Sequence, residues 1–390
     1  MGNFYLVILD GVGAGHQEDA YEYGDVGSNT LGHVIAKTGI ELPNLERLGL
    51  GNILHLDSVP PVFDPLAAFG KMREVSPGKD STTGHWEIAG IELEQAFPTY
   101  PDGFPQEILD AFCKGVNVKA ALANKPYSGT DVIRDFGDEH VKTGNPIVYT
   151  SADSVFQVAC HTDVVPLETL YAWCEFARNN VMVDDHAVGR VIARPFHGES
   201  GNYQRLSDQR KDFSYIPPKP NMLSVLQDAG VKTYSIGKVI DLFAGEGFTQ
   251  YRKTKQNAEG ISQLLSIMSA VENSFIFVNL IDFDQLFGHR LDTEGFAGSL
   301  QEFDRALPAI LGKLKQDDVL VITADHGNDP TGTNTDHARE FVPLLVYPAT
   351  AAQRIELGTR KSFRDIAASA IHYFGISHDF NAESFLKGRS

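Results

Sequence analysis

Short, almost wholly apolar runs recur along the chain between longer stretches in which apolar residues return every third or fourth position. The plainest runs are Phe4–Leu9, Phe275–Ile281, Val319–Ala324 and Phe341–Tyr347. Runs of this length without polar alternation are the mark of strands covered on both faces, as in parallel sheets. The stretches Gly260–Glu272 and Gly295–Lys315 carry helical spacing between them. Strand and helix patterns that alternate in this way predict an α/β fold around a buried, mostly parallel sheet. No repeat of fixed period and no low-complexity tract interrupts the pattern.

Two proline clusters punctuate it, Pro98-Thr-Tyr-Pro101-Asp-Gly-Phe-Pro105 and Pro217-Pro218-Lys-Pro220. Roughly 115 residues separate them, about one domain's worth. Strands of the same character occur on both sides of that segment. The expectation is therefore a discontinuous core, 1–95 and 217–390, with 96–216 inserted into it as a second α/β domain.

Three of the strands end alike. Phe4–Leu9 runs into Asp10, Phe275–Ile281 into Asp282-Phe-Asp284, and Val319–Ala324 into Asp325-His326. In an open parallel sheet the carboxyl ends of the strands share one edge, where ligands bind. One Asp at such a place is ordinarily a helix cap or turn residue. Three together would repel one another unless cations neutralised them. Histidines follow closely: His289 five residues after Asp284, His326 directly after Asp325, and His337 eleven residues later. Carboxylate and imidazole without thiolate suit Mn²⁺, Mg²⁺ or Zn²⁺, and the weight of carboxylate favours the harder ions. Other histidines, such as His55, His186 and His372, are expected to have no role.

A further segment, Gly78-Lys-Asp80-Ser81-Thr-Thr-Gly84-His85-Trp86-Glu87, places a hydroxyl before a predicted helix. Ser81 reads either as an ordinary helix N-cap or as a nucleophile facing an incoming phosphate. Serine is nucleophilic only with a base or a metal to stabilise its alkoxide, and a two-metal site supplies that. The glycine-rich turn Gly11-Val-Gly13-Ala-Gly15-His16 resembles a dinucleotide loop but has the wrong spacing, and Asp10 would face the pyrophosphate. There is no P-loop either, so nucleotide binding is not expected.

Composition narrows the partners. With 42% hydrophobic and 22% charged residues the chain is globular. Its 33 basic and 51 acidic residues leave a net charge of −18, which repels nucleic acid and anionic membrane surfaces. A small anion could bind only where metal ions or clustered arginines reverse the local field. Three cysteines, Cys113, Cys160 and Cys174, form no CxxC pair and suggest free thiols in a reducing compartment. No apolar run approaches the ~20 residues of a membrane helix. Met1–Leu6 has neither a positive signal-type region nor a myristoylation pattern, so a soluble cytoplasmic protein is expected.

Taken in order, these motifs carry a resemblance. Leu9-Asp10-Gly-Val-Gly13 is followed by Lys79-Asp80-Ser-Thr-Thr-Gly-His-Trp-Glu-Ile-Ala-Gly90, Tyr149-Thr-Ser-Ala-Asp153-Ser-Val155 and Gly189-Arg190-Val-Ile-Ala-Arg194-Pro-Phe196. Ile236-Gly-Lys238, Asp282-Phe-Asp284 with Gly288-His289-Arg290, Thr323-Ala-Asp325-His326-Gly and Thr335-Asp-His337-Ala-Arg-Glu340 complete the set. Together they resemble the phosphopentomutases, a family of the alkaline phosphatase superfamily, over nearly the whole chain.

That resemblance implies an alkaline-phosphatase-like core with an inserted cap, and two Mn²⁺ ions per chain. The first ion would be held by Asp10, Ser81, Asp325 and His326, the second by Asp284, His289 and His337. Three carboxylates and one alkoxide would then balance two divalent ions. The family usually has threonine directly after the Asp. Here that place is Ser81, taken as the phosphorylated residue, with Thr82 as the alternative. Substrate contacts would map to Ser151, Asp153, Val155, Arg190 and Arg205 on the cap and to Lys238 on the core, the two arginines binding the distal phosphate. The implied activity interconverts (deoxy)ribose 1-phosphate and 5-phosphate in nucleoside salvage. It would be primed by glucose 1,6-bisphosphate and carried out by a monomer. A cofactor-independent phosphoglycerate mutase, whose nucleophile stretch reads Asn-Ser-Glu-Val-Gly-His, a metal-dependent phosphatase and a catalytically silent sugar-phosphate binder are the rival readings.

Overall fold

The computed structural model describes residues 2–151, 153–348 and 356–386. It divides into two compact units, Met1–Gln95 with Pro217–Ser390, and Ala96–Ile216.

The first unit is built on an eight-stranded sheet. Its central strand, Phe4–Leu9, runs parallel to Ser274–Leu280 and to Val319–Thr323, with Phe4 opposite both Phe275 and Val319. All three strands are buried along their length, which is why they read as unbroken apolar runs. Lys232–Ile236 and Gln250–Arg252 extend the sheet in parallel on one side. On the other side Val342–Tyr347 and Ala68–Met72 pair antiparallel, and Glu356–Arg360 closes the edge parallel to Ala68–Met72. Five of the seven pairings are parallel, so the sheet is mixed but mostly parallel. The reversed direction of Val342–Tyr347 has a consequence: its amino end, not its carboxyl end, lies at the edge where the aspartates emerge.

Two helices differ in extent from the sequence expectation. The first is Asn257–Ile267 rather than Gly260–Glu272. Its early start is fixed by Asp282, whose Oδ2 accepts from Asn257 N at 2.7 Å while Asp282 N donates to Asn257 Oδ1 at 3.0 Å. Beyond it, Asn273 adopts φ 48°, a left-handed turn that delivers the chain into the next strand. The second is Thr293–Leu311 rather than Gly295–Lys315 because Asp292 caps it, accepting from Gly295 N at 2.9 Å.

The second unit holds a six-stranded mixed sheet. Leu122–Pro126, Ile147–Thr150, Val155–His161 and Arg190–His197 lie in that order, and Gln204–Arg205 and Lys211–Ser214 both pair antiparallel with Arg190–His197. One face of it (Phe156, Val158, Cys160, Val191, Ala193) packs on Leu170, Cys174 and Ala177 of helix Leu167–Asn180 and on Phe112 of helix Gln106–Gly115. The other face is apolar at one end, where Ile147, Ala159 and Phe196 meet Val132 and Ile133 of helix Asp131–Thr143. All three cysteines are free and buried in this unit, and burial pushes the Cys160 and Cys174 thiols well up. Among the described residues no helix is long and apolar enough to cross a membrane.

Candidate metal centre

Parallel strands in register bring their carboxyl ends to one line, and the acidic residues arrive there together. Asp10 directly follows Phe4–Leu9, and Asp325 lies just beyond Val319–Thr323. After Ser274–Leu280 the chain turns through Asp282, which is engaged with Asn257, into the short helical segment Phe283–Phe287 that carries Asp284. His289 follows on Gly288–Arg290, and His337 enters from the segment that leads into the antiparallel strand Val342–Tyr347. Ligand atoms of Asp10, Asp284 and His326 lie within 4.8 Å of one another, and so do those of Asp284, His289 and His337. Asp284 therefore faces both groups, whereas the resemblance implied the second alone. Its Oδ2 is 3.4 Å from His289 Nε2 and its Oδ1 3.2 Å from His337 Nε2. His326 Nε2 is 3.5 Å from Asp10 Oδ1 and 3.4 Å from Asp325 Oδ2.

Asp10, Asp325 and His326 are fully buried, Asp284 and His337 nearly so. Asp10 Oδ1, Asp325 Oδ2 and His337 Nε2 have no hydrogen-bond partner among the described residues, although charged groups stand within 3.5 Å of each. A buried carboxylate oxygen left in this way costs free energy unless a cation meets it. Burial opposes the Asp284 charge, yet the His337 and His289 imidazoles hold its carboxyl well below the usual range. At Asp325 burial is likewise outweighed, by His326 and His85, and its carboxyl is held low. Burial pushes His326 down, but Asp325, Asp10 and Asp284 raise it to about 10. The site demands positive charge. Two of the histidines are also oriented for ligation: Nδ1 of His326 lies 3.0 Å from Gly327 O and Nδ1 of His289 2.6 Å from Thr335 O. A proton on Nδ1 bonded to a carbonyl leaves Nε2 free to bind a metal. The donor set, its burial and its unpartnered atoms fit divalent cations.

Ser81 is not a helix N-cap. Asp80 takes that place, its Oδ1 accepting from Thr82 N and Thr83 N at 2.9 and 3.2 Å, and Ser81 is the first residue of helix Ser81–Ile88. Its Oγ is 3.1 Å from His326 Nε2 and accepts from Lys238 Nζ at 2.8 Å. Of the three neighbouring hydroxyls, that of Thr83 donates to Asp80 Oδ2 at 2.6 Å; Thr82 is buried, with no such contact among the described residues. The helix lies so close to Asp325 that a Cβ on Gly84 would fall 2.1 Å from its carbonyl oxygen, so glycine is required there. Lys238 stands just past the parallel strand Lys232–Ile236, so a fourth strand end delivers a cation to the same place, 2.5 Å from Asp10 Oδ2. The turn that resembled a dinucleotide loop wraps a side chain of its own protein. Glu340 Oε2 accepts from Gly15 N at 3.1 Å, and a Cβ on Gly13 would meet that oxygen at 2.3 Å.

In the second unit, Ser151 and Asp153 lie in the turn before Val155, the first residue of its strand, and Asp153 Oδ2 is 3.5 Å from Arg190 Nη2. Arg205 is not beside Arg190: it sits opposite Phe196, farther along the same strand. Between them lie residues to which the motifs Tyr149–Val155 and Gly189–Phe196 had assigned no contact, and others outside those motifs. Tyr149, Gln157, Ile192 and Asp212 form one row across four strands, and Arg194 Nε donates to Gln157 Oε1 at 3.0 Å. The Tyr149 hydroxyl is buried with no hydrogen-bond partner among the described residues. A Cβ on Gly129 would be 3.0 Å from that hydroxyl and 3.4 Å from Arg205 Nη1. The strand period of two was the available signal, since it sets Arg194 on the face of Arg190.

A family model described as the metalloenzyme superfamily matches residues 2–378. The phosphopentomutase of Caldanaerobacter subterraneus subsp. tengcongensis is 53% identical over 98% of this chain and 96% of that protein. The phosphopentomutase of Acetivibrio thermocellus is 51% identical over 98% of each. Among solved structures, a phosphoglycerate mutase from Leishmania mexicana is similar with a TM-score of 0.52, covering 98% of this chain and 97% of that one. At 12% identity that likeness speaks for the fold alone. The full-length identity to the mutases is of another order, and it falls on a chain whose strand ends converge on a buried acid and imidazole cluster: the chain belongs to the phosphopentomutase family, enzymes of the metalloenzyme superfamily.

Proposed function

We propose that this enzyme interconverts the 1-phosphate and 5-phosphate of ribose or 2-deoxyribose through phosphorylated Ser81 and a pentose 1,5-bisphosphate. Two Mn²⁺ ions would be held by Asp10, Ser81, Asp325 and His326, and by Asp284, His289 and His337. The observation that carries this reading is the place of Ser81 Oγ, within hydrogen-bond distance of both His326 Nε2 and Lys238 Nζ beside unpartnered buried carboxylate oxygens. When bound, the ions would neutralise those carboxylates and stabilise negative charge on Oγ and on the transferring phosphoryl group.

Phospho-Ser81 passes its phosphoryl group to the 5-oxygen of the 1-phosphate, breaking the Oγ–P bond and forming O5–P. Oγ then takes the phosphorus of the 1-phosphate, and the O1–P bond breaks. The proton lost from O5 in the first half is matched by one gained at O1 in the second, so the cycle is balanced. Lys238 donates to Oγ whenever that oxygen is free. A sugar bisphosphate such as glucose 1,6-bisphosphate primes Ser81 at the start.

In this reading Met1–Gln95 with Pro217–Ser390 is the catalytic core and Ala96–Ile216 the cap. A mutase that works through a phosphoserine must keep water from it while the bisphosphate turns or exchanges, the task that a cap domain performs. Arg205, with Arg194 and Tyr149 on the same polar face, holds the distal phosphate through its donor fork, while Arg190, at the other end of the strand beside Asp153, meets the sugar with Ser151, Asp153 and Val155. In this reading the working unit is a monomer, as the family resemblance implies. The buried free thiols support a reducing, cytoplasmic setting.

Phosphorus NMR of the protein with Mn²⁺, ribose 1-phosphate and a trace of glucose 1,6-bisphosphate tests the reaction. Ribose 5-phosphate without inorganic phosphate is expected. Free phosphate would make the protein a hydrolase, and no change would refute the substrate. Peptide mapping of the phosphoenzyme tests Ser81, and phosphate on Thr82 would overturn that assignment.

A further inference from the structure

Behind the proposed ligands lies a pair of buried residues that touch them and have no assigned role. Asn279 lies within strand Ser274–Leu280, opposite Ile8 and therefore on the face that also carries Asp10. His85 is four residues after Ser81 on helix Ser81–Ile88. Both are fully buried. Asn279 Nδ2 donates to Asp10 Oδ2 at 2.9 Å and lies 3.3 Å from His85 Nε2. His85 Nδ1 is 2.8 Å from Ser81 O and 3.1 Å from Asp325 Oδ2. The His85 ring stacks on Phe277 at a centroid distance of 5.6 Å, which fixes its plane.

The proton positions follow from the acceptor-only character of Asp10. Turning the Asn279 amide over would set its oxygen against a carboxylate oxygen, so the NH₂ group must face Asp10. That group has two hydrogens. One goes to Asp10, and the second points at His85 Nε2, which must then present its lone pair. The imidazole proton is left on Nδ1, where Ser81 O accepts it at 2.8 Å. The result is a directed chain: Asp10 accepts from Asn279, Asn279 donates to His85, and His85 donates to the Ser81 carbonyl with Asp325 Oδ2 in charge contact at 3.1 Å. It joins the ends of two strands and the first turn of the nucleophile's helix behind the site.

We infer that Asn279 and His85 act as one positioning unit that holds Asp10, Asp325 and the start of the Ser81 helix in place for the metal at that side of the site. This rests on the ligand assignment of the proposed function. Neither residue touches the reacting atoms, so their effect is on orientation. Partners of this kind behind metal ligands contribute about 10- to 100-fold in metal affinity. The second ligand group, Asp284, His289 and His337, has other supports: Asn328 Nδ2 donates to Asp284 Oδ1 at 2.7 Å and Thr335 O accepts from His289.

The test is a Mn²⁺ titration of metal-free protein, with free Mn²⁺ read by electron paramagnetic resonance and no substrate present. Wild type is expected to bind two ions. In Asn279→Ala one ion binds about 10- to 100-fold more weakly, while the other keeps its affinity within about twofold. His85→Asn, which removes the Nε2 acceptor, gives the same selective loss from the other end of the chain. The double variant loses no more than the worse single, because the two act as a unit. Either single variant decides the matter alone if the other does not fold, as judged by urea unfolding of the metal-free forms. Two ions bound in wild type and variant alike, equal weakening of both ions, or additive losses would overturn the bridge. A wild type that binds no Mn²⁺ would overturn the ligand assignment itself, and the bridge with it.

Discussion

Arg339 offers the sharpest test of how the nucleophile segment is held. It lies two residues after His337 and is fully buried. Its Nη1 donates to Ser76 O at 2.8 Å and to Gly78 O at 2.7 Å, and Nη2 donates to Glu74 O at 2.8 Å. Asp19 Oδ2 accepts from Nη2 at 2.9 Å and from Nε at 3.2 Å, while Glu74 Oε2 is 3.0 Å from Nη1. One guanidinium thus ties residues 74–78, just ahead of Asp80 and Ser81, to the segment bearing His337. Arg339→Met keeps the stem and deletes every one of these bonds. Removing one partner of a buried ion pair costs about 3–5 kcal/mol, and the three stranded carbonyls put the expected loss near the upper end. Urea unfolding is the assay, and a midpoint lower by about 1 M or more is expected. The loss carries a pH signature. Burial already holds the Glu74 carboxyl well above its usual range, with Arg339 as the chief opposing influence. Without Arg339 it rises further, so above the wild-type pKa the folded variant keeps a proton that folded wild type has released. The variant's deficit therefore widens with rising pH, by up to about 1.4 kcal/mol per unit. A deficit under 1 kcal/mol, or one that shrinks as pH rises, would refute the reasoning.

Four further outcomes are expected. Asp325→Ala should lose more than about 100-fold in turnover through loss of metal, and metal analysis finding two ions retained per chain would contradict it. Tyr149→Phe removes a buried hydroxyl without a partner, so thermal unfolding should show stability unchanged or slightly raised; KM for the sugar phosphate should rise about tenfold if the hydroxyl reaches a charged ligand. Burial raises the Glu340 carboxyl to about 7, so between the unfolded value and 7 the folded protein holds one more proton than the unfolded chain. Its contribution to stability is full below the unfolded pKa and falls by about 3 kcal/mol as pH rises through that window; the wild-type minus Glu340→Gln difference from urea curves should trace that fall, and a flat difference would sink it. Cys113, Cys160 and Cys174 should resist thiol reagents at pH 8 in the native protein and all react in denaturant, as absorbance of the released thiol chromophore would show.

Much of the architecture was legible because parallel strands covered on both faces must be apolar throughout. Phe4–Leu9, Ser274–Leu280 and Val319–Thr323 stand out in the sequence for that reason, and a polar residue at the end of each is conspicuous. The helix ends were less legible. Asp282 and Asp292 fix them through bonds to Asn257 and Gly295 that the apolar spacing does not encode. The antiparallel course of Val342–Tyr347 was likewise hidden, since strand direction depends on the connection rather than on the residues in the strand.

What the sequence by itself determined is the inventory: three strand-end aspartates, the histidines that follow them, and a hydroxyl beside an Asp. Each of these is recognised from residues a few positions away. What only the tertiary structure decided is which groups meet. Asp284 faces both candidate ligand groups, and Lys238 reaches Ser81 and Asp10 from positions distant in the chain. Asn279 reads in the sequence as a stray polar residue in a strand, Arg339 as a charge and Tyr149 as a core aromatic. Their partners lie tens to hundreds of residues away, and a buried polar group is defined by the partner that satisfies it. Local sequence sets the chemistry available at each position; the folded chain sets the distances of about 3 Å at which that chemistry acts.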